Sequence, residues 1–400
     1  MDTIISSDYK EALFASLRSS LKNEKLSISE NIDKEKLLLI AAHQNLFPFV
    51  FQGLMSDKDF QNTEVYNKYF PQFLASFSMQ IRRTEGFLKL YPKFTEKGIY
   101  PVVVKGIICR SLYGELAECR PSGDEDIFVK KSDFLKAAEI LKENGFEGER
   151  SDITEKQLET LHHLEFKRKD LMVELHSNLI DCRNELRKKL NSYFLSSVDT
   201  GIFTEIKGVR IKTLNHTDHF LYLIFHAVSH FILSGMGIRQ MMDILLYYEK
   251  YKDEINMEYI KKALDDTNSK YFMSDLIRIG NKYLGFSIEP LTEEKNIEEL
   301  LSDLLCMGIF GNSTEIHSAA GQMTSAAFSE GNTILKTIFP TRDWLSRRYP
   351  ELIEKPYLLP ICWVKRWLMF LKSGNEKEKI SESMTVGKRR MALLKKYEVL

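Results

Sequence analysis

Ile99-Tyr100-Pro101-Val102-Val103-Val104-Lys105-Gly106 and, further on, Asp124-Glu125-Asp126-Ile127-Phe128-Val129 are the stretches that decide the fold. The first is a β-branched run with proline near its start, where a strand tolerates it, and glycine at its end. It predicts a strand giving way at Gly106 to a short helix over 107–113. A polar loop over 115–123 follows, containing Arg120-Pro121-Ser122-Gly123, and then a second strand over 124–129. Ser132 is placed to cap the next helix, whose apolar face is read as Phe134, Leu135, Ala138 and Leu141, ending at Asn144-Gly145. Residues 162–167 and 171–176 read as a hairpin turning at Arg168-Lys169-Asp170, and 204–213 as another around Gly208. Strand, helix, strand, helix and then hairpins predict an α+β core with a mixed sheet.

Helical periodicity flanks this core on both sides. Leu13, Leu17 and Leu21, then Leu37, Leu38, Ile40 and Ala41, then 66–91 with Phe70, Phe73, Leu74 and Phe77, make residues 1–92 a helical region. It reads as a support with no visible chemistry. The core spans 93–213, and 214–400 form a C-terminal helical domain with helices over 218–233, 238–251, 257–267 and 271–284. Residues 311–333, rich in small and polar side chains, read as a mobile connection. The stretch over 358–372, LLPICWVKRWLMFLK, carries Trp363 and Trp367. It reads as a helix docked on the protein in preference to one lying on a membrane surface.

The 400 residues are 44% hydrophobic and 28% charged with only 20 Gly and 10 Pro, which excludes collagen-like and mainly disordered classes. Lys plus Arg and Asp plus Glu both number 56, so no global positive field drives binding to extended nucleic acid. Five cysteines without a C-x-x-C pair suit a reducing compartment. With no run of about 18 apolar residues and no leader-like start, the expected location is the cytoplasm.

Asp124 and Asp126 carry the chemistry. Residues two apart on a strand project from one face, so two carboxylates stand side by side, a repulsive arrangement that a divalent cation relieves. Hard oxygen ligands of this kind suit Mg²⁺ or Mn²⁺ bound with substrate phosphates. Glu174, on the strand over 171–176 with Val173 and Leu175 facing the other way, adds a third carboxylate if that strand lies beside 124–129. Such a triad is suited to in-line nucleotidyl transfer from an NTP. Lys105 and Gly106, between strand and helix, are placed to meet phosphates. Arg120 and Ser122, just before Asp124, could meet phosphate oxygens, and His176, on the face of Glu174, could orient a carboxylate or touch base or acceptor.

V-V-V-K-G-I-I-C-R-S-L-Y, R-P-S-G-D-E-D-I-F-V and V-E-L-H, continuing into H-A-V-S-H and R-Q-M-M-D-I, together resemble the nucleotidyltransferase superfamily of the DNA polymerase β type, in its uncharacterised bacterial branch. The resemblance covers roughly residues 95 to 250. It implies a metal-dependent transferase in which Asp124, Asp126 and Glu174 are the metal-binding carboxylates and Gly106 is the phosphate-loop glycine. The acceptor would be an unknown small molecule or macromolecule bearing a hydroxyl. Two departures stand out: Ile107 occupies the place of a Gly or Ser, and Glu125 that of an apolar residue. They leave open a second reading, a non-catalytic nucleotide- or partner-binding module on the same fold.

Other motifs read as structural. His226 and His230, one helical turn apart, lack the Glu of H-E-x-x-H and read as interhelical packing. Arg239 and Asp243, at i and i+4, read as an ion pair.

Overall fold

The computed structural model describes residues 5–148, 158, 161–169, 171–182, 185–233, 235–307, 339, 342–345, 349–352, 355–372 and 388–399. The segment 311–333 read as a connection lies outside the described residues. Helices α1 (Ser7–Lys22), α2 (Lys34–His43) and α3 (Phe47–Leu54) lead into the long α4 (Glu64–Thr95). Asp33 starts α2 by accepting from the amides of Glu35 and Lys36, and Thr63 starts α4 by accepting from that of Tyr66. Then come β1 (Val102–Val104), α5 (Gly106–Arg110), a 3₁₀ stretch (Ser111–Cys119), β2 (Glu125–Phe128), α6 (Phe134–Glu143), β3 (Glu147–Gly148), β4 (His163–Arg168) and β5 (Leu171–His176). Helices α7 (Glu185–Ser192) and α8 (Ser197–Thr200) precede the hairpin β6 (Ile202–Ile206) and β7 (Val209–Thr213). Its turn uses Lys207 and Gly208, both at positive φ. Helices α9 (His216–Leu233), α10 (Ile238–Tyr251), α11 (Met257–Asp266), α12 (Lys270–Leu284), α13 (Ile297–Met307), α14 (Arg342–Leu345) and α15 (Leu359–Lys372) follow.

Among the described residues the strands form one seven-stranded mixed sheet, ordered β3-β4-β5-β2-β1-β7-β6. β2 lies at its centre, antiparallel to β1 and parallel to β5. One face buries Val103, Ile127, Leu164, Phe166, Val173 and Leu175 against α6 and the end of α4. The opposite face turns toward a larger core that unites α1–α3 with α9–α12. Phe14 of α1 packs on Tyr283 of α12 with ring centroids 4.9 Å apart, so the N-terminal helices and the C-terminal ones share an interior. The last described stretch is pinned to that interior by Arg390, 2.7 Å from Asp303, and by the Tyr397 hydroxyl, 2.7 Å from Asp275.

Several local expectations need correction. Ser132 does not cap α6. It lies in a 3₁₀ turn, and Asp133 takes the cap position without a side-chain bond. Leu135 is exposed, and Phe134, Ala137, Ala138, Ile140 and Leu141 form the buried face. Where a loop is expected from 115, a 3₁₀ stretch over Ser111–Cys119, broken at Gly114 with φ +55°, continues to Cys119. On α15, Cys362 is buried with Leu345 and Leu352, whereas Ile361 and Val364 face solvent, so the helix docks by one side.

Candidate active site

Strand alternation and register place the carboxylates. Asp126 pairs with Glu174 across the parallel β2–β5 ladder and with Val104 across β1. Ile127, Val173 and Leu175 fill the apolar core, so Asp126, Glu174 and His176 occupy the opposite face together. Asp126 is 1% exposed, Glu174 partly buried, and Asp124, just ahead of β2, partly buried beside them.

Two cations balance this charge. Lys105 Nζ lies 2.9 Å from Asp126 Oδ1 and 3.5 Å from His226 Nε2. His176 Nε2 lies 3.0 Å from the same Oδ1 and 3.3 Å from Glu174 Oε2. Burial alone would discharge His176, but its hydrogen bonds to Asp126 and Glu174 prevail and hold its pKa up at about 9. Burial likewise works against the Asp126 carboxylate, and the attraction of Lys105 and His176 overcomes it, holding its pKa below the usual range. Asp124 goes the other way. Burial first, then the negative charge of Asp126, lifts it to about 7, and it hydrogen-bonds Glu174.

Lys105 adopts φ +52°, ψ −129°, a backbone conformation that non-glycine residues seldom occupy. The turn redirects the chain from β1 into α5 and brings the ammonium back over β2. Gly106 follows at φ +34°, and a Cβ there would overlap Glu125 Oε2. That oxygen accepts the Ile107 N–H at 2.7 Å, and Oε1 pairs with the Arg110 guanidinium. Glu125 is therefore the anchor of α5, and the Ile107 amide offered by the phosphate-loop reading is already bonded within the protein.

The loop over 120–123 is fixed from both sides. Arg120 grips Asp243 of α10 in a bidentate pair at 2.8 and 2.7 Å, and Tyr113 donates to the same carboxylate at 2.8 Å. The expected Arg239–Asp243 pair is thus replaced by Arg120–Asp243, while Arg239 donates to the Pro121 carbonyl. Gln80 of α4 accepts from the Ser122 amide at 3.2 Å, and Arg83 donates to the Ser122 carbonyl. The N-terminal region thus supports from behind the loop that lines the site. The Ser122 hydroxyl donates to the Asp124 carbonyl at 2.7 Å, ordering the entry to β2.

A cleft of about 510 Å³ opens between the sheet and α9–α10. Lys105, Gly106, Arg120, Ser122, Asp124 and Asp126 line one side; Leu223, His226, Arg239, Gln240, Asp243 and Ile244 line the other. The structure thus brings six of the eight sequence-derived candidates to the cleft and sets Glu174 and His176 directly behind Asp126. Arg239 and His226 were missed as cleft residues. The H-A-V-S-H spacing hinted at a shared face for His226 and His230, which meet edge to face at 4.4 Å. Arg239 opens the R-Q-M-M-D-I stretch of the resemblance but was read only as a partner of Asp243. Burial, then the charge of Lys105, holds His226 neutral. Three buried nitrogens, Arg120 Nη1, Arg239 Nε and His176 Nδ1, and one buried oxygen, Asp126 Oδ2, have no hydrogen-bond partner. His163, facing His176 across β4–β5, reaches Glu174 Oε2 at 3.7 Å.

A family model described as uncharacterised nucleotidyltransferase matches residues 30–285. No curated protein and no solved structure matches the chain.

Proposed function

Because the chain belongs to the uncharacterised nucleotidyltransferase family, we propose that it moves a nucleoside monophosphate from an NTP to a hydroxyl-bearing acceptor in the cleft beside β2. The observation that carries this reading is Asp126 Oδ2, a carboxylate oxygen buried without a partner beside Glu174 and Asp124. Leaving such an oxygen unsatisfied costs about 1–3 kcal/mol, which a bound cation would recover. The all-oxygen carboxylate set of Asp124, Asp126 and Glu174 fits Mg²⁺ or Mn²⁺, and these residues would hold it. When bound, such an ion lowers the pKa of an attacking hydroxyl and neutralises the departing pyrophosphate.

The chain's own groups do the rest. His176, bonded to both Asp126 and Glu174, keeps the two carboxylates oriented. Burial works most strongly against an ionised Glu174, but the hydrogen bond and charge of His176 together with the charge of His163 hold its pKa below the ordinary value, so it is ionised and able to take the acceptor proton. Lys105 Nζ, at the cleft wall, is placed to meet phosphate oxygens. Arg239 has no carboxylate of its own, and its free Nε, with Arg120 Nη1, offers guanidinium N–H groups to a phosphate tail. Ser122 acts through the backbone by holding the Asp124 carbonyl.

The non-catalytic module is the second reading. Lys105 occupying Asp126, and Glu125 occupying the Ile107 amide, favour it. Calorimetric titration of ATP, GTP, CTP and UTP with and without Mg²⁺ separates the two, with an Asp124→Asn/Asp126→Asn double variant as control. Metal-dependent binding of one nucleotide that vanishes in the variant, followed by pyrophosphate release on adding acceptors, supports the transferase. Binding that survives the double substitution and yields no pyrophosphate supports the module.

A further inference from the structure

His162 and His163, at the start of β4, meet His176 at the end of β5 in a cluster that the proposed reaction does not use. The three rings lie with centroids 4.7, 4.8 and 5.1 Å apart, and each offers a nitrogen within 4.8 Å of those of the other two. Glu174 Oε2 adds an oxygen 3.7 Å from His163 Nδ1 and 3.3 Å from His176 Nε2.

Imidazoles that hold metals carry their second nitrogen on a carbonyl or carboxylate, which fixes the tautomer. Two of the three do so here. His162 Nε2 lies 3.3 Å from the Leu179 carbonyl, an atom that can only accept, so Nε2 carries the proton and Nδ1 the lone pair. His176 Nε2 lies on Asp126, leaving its buried Nδ1 without a partner, and an ion there would displace the proton that the neighbouring carboxylates hold on the ring. His162 Nδ1 and His163 Nδ1 stand 2.9 Å apart in a hydrogen bond that His163 donates, and an ion between the rings would take the place of that shared proton. His163 is 30% exposed, so the cluster has a path to solvent.

We propose that His162, His163 and His176 form a three-histidine binding site for a transition-metal ion of the imidazole-preferring class, represented by Zn²⁺, at the β4–β5 edge of the carboxylate cluster, with the fourth position left to water. Three imidazole nitrogens select such an ion against Mg²⁺, which takes oxygen ligands and keeps its water. His176, bonded to Asp126 and Glu174, is the residue through which this ion would reach the carboxylates of the proposed transfer site.

The test is Zn²⁺ titration of the full chain without nucleotide, with the absorption spectrum of the Co²⁺-loaded protein as a second readout. One Zn²⁺ per chain is expected, undisplaced by millimolar Mg²⁺, with a tetrahedral Co²⁺ spectrum. Affinity should fall at least tenfold in His163→Ala and in His162→Gln, circular dichroism confirming that both fold, and stay within about threefold in Asp124→Asn. No stoichiometric Zn²⁺, or affinity unchanged in both histidine variants, overturns the proposal. So does a loss confined to Asp124→Asn, which would place the ion on the aspartates. Zn²⁺ binding with no pyrophosphate from any NTP would refute the transferase and leave this site standing.

Discussion

Glu125 and Asp126 are neighbours on β2, both 1% exposed, and they face opposite ways into two different kinds of surroundings. On the Glu125 side every acceptor is matched: one oxygen takes the Ile107 amide and the other the Arg110 guanidinium, which also donates to Gln80. On the Asp126 side two cations crowd one oxygen and the other has none. Arg120 and Asp243 share in both arrangements, with both carboxylate oxygens bound and Arg120 Nη1 left without a partner. A closed buried ion pair holds elements together, and an incompletely satisfied one keeps capacity for a ligand.

Substituting each neighbour in turn breaks the comparison most sharply. Asp126→Asn is expected to lower turnover by on the order of 10³-fold while the fold persists, measured as pyrophosphate release beside circular dichroism. Glu125→Ala should instead strip about 3–5 kcal/mol of stability by stranding the Arg110 charge, measured by denaturant unfolding. Should Glu125→Ala unfold no more readily than Asp126→Asn, the division between the two sides fails.

Arg239→Ala sharpens the same distinction at the far wall. Arg239 gives one bond to a carbonyl and has a free Nε, so its loss should raise the NTP KM by roughly 10-fold or more, the worth of one charge-assisted bond, with unfolding little altered. An unchanged KM would assign Arg239 to loop support alone.

The smallest expected effect is on pH. Asp124 is raised from 3.8 to about 7, so the folded state holds an extra proton and loses stability as pH climbs through that window. His176 is raised from 6.5 to about 9, so its contribution is whole below 6.5 and lost as pH passes 9. Both slopes descend with pH. The histidines that burial keeps neutral, His162, His163, His216, His219, His226 and His230, add stability as pH rises through 6.5. Without divalent ions the melting temperature should therefore fall above that window, between pH 7.5 and 9, and added Mg²⁺ should restore more of it at pH 8 than at pH 6. A melting temperature that rises over that range would contradict the arrangement of charges around Asp126.

Alternation along single strands was enough to set Asp124, Asp126, Glu174 and His176 toward one face, because a strand's face is a local property. The strand–helix–strand order around Lys105-Gly106 was equally legible, and so was the mixed sheet with helices on either side. Glu125 was visible as an oddity, a charge in an apolar position, but its partner Arg110 was not. The rest lay in contacts between distant segments. Gln80 meets Ser122 across 42 positions and Arg120 meets Asp243 across 123. Periodicity says which side of a helix is apolar without saying what that side will touch. The Arg239–Asp243 reading erred because i,i+4 spacing makes a pair feasible, whereas the stronger claim came from Arg120, whose flat guanidinium could meet both carboxylate oxygens.

The Arg120–Asp243 lock also has a meaning in time. During synthesis the guanidinium leaves the ribosome long before its carboxylate has been made. At about 5–20 residues per second, the 123 intervening positions correspond to a wait on the order of ten seconds. Until α10 emerges, the nascent sheet carries an unneutralised arginine and lacks one wall of the cleft. The newborn chain is therefore exposed to misfolding for that interval, and it acquires a finished pocket only once α10, ending at Tyr251, has emerged.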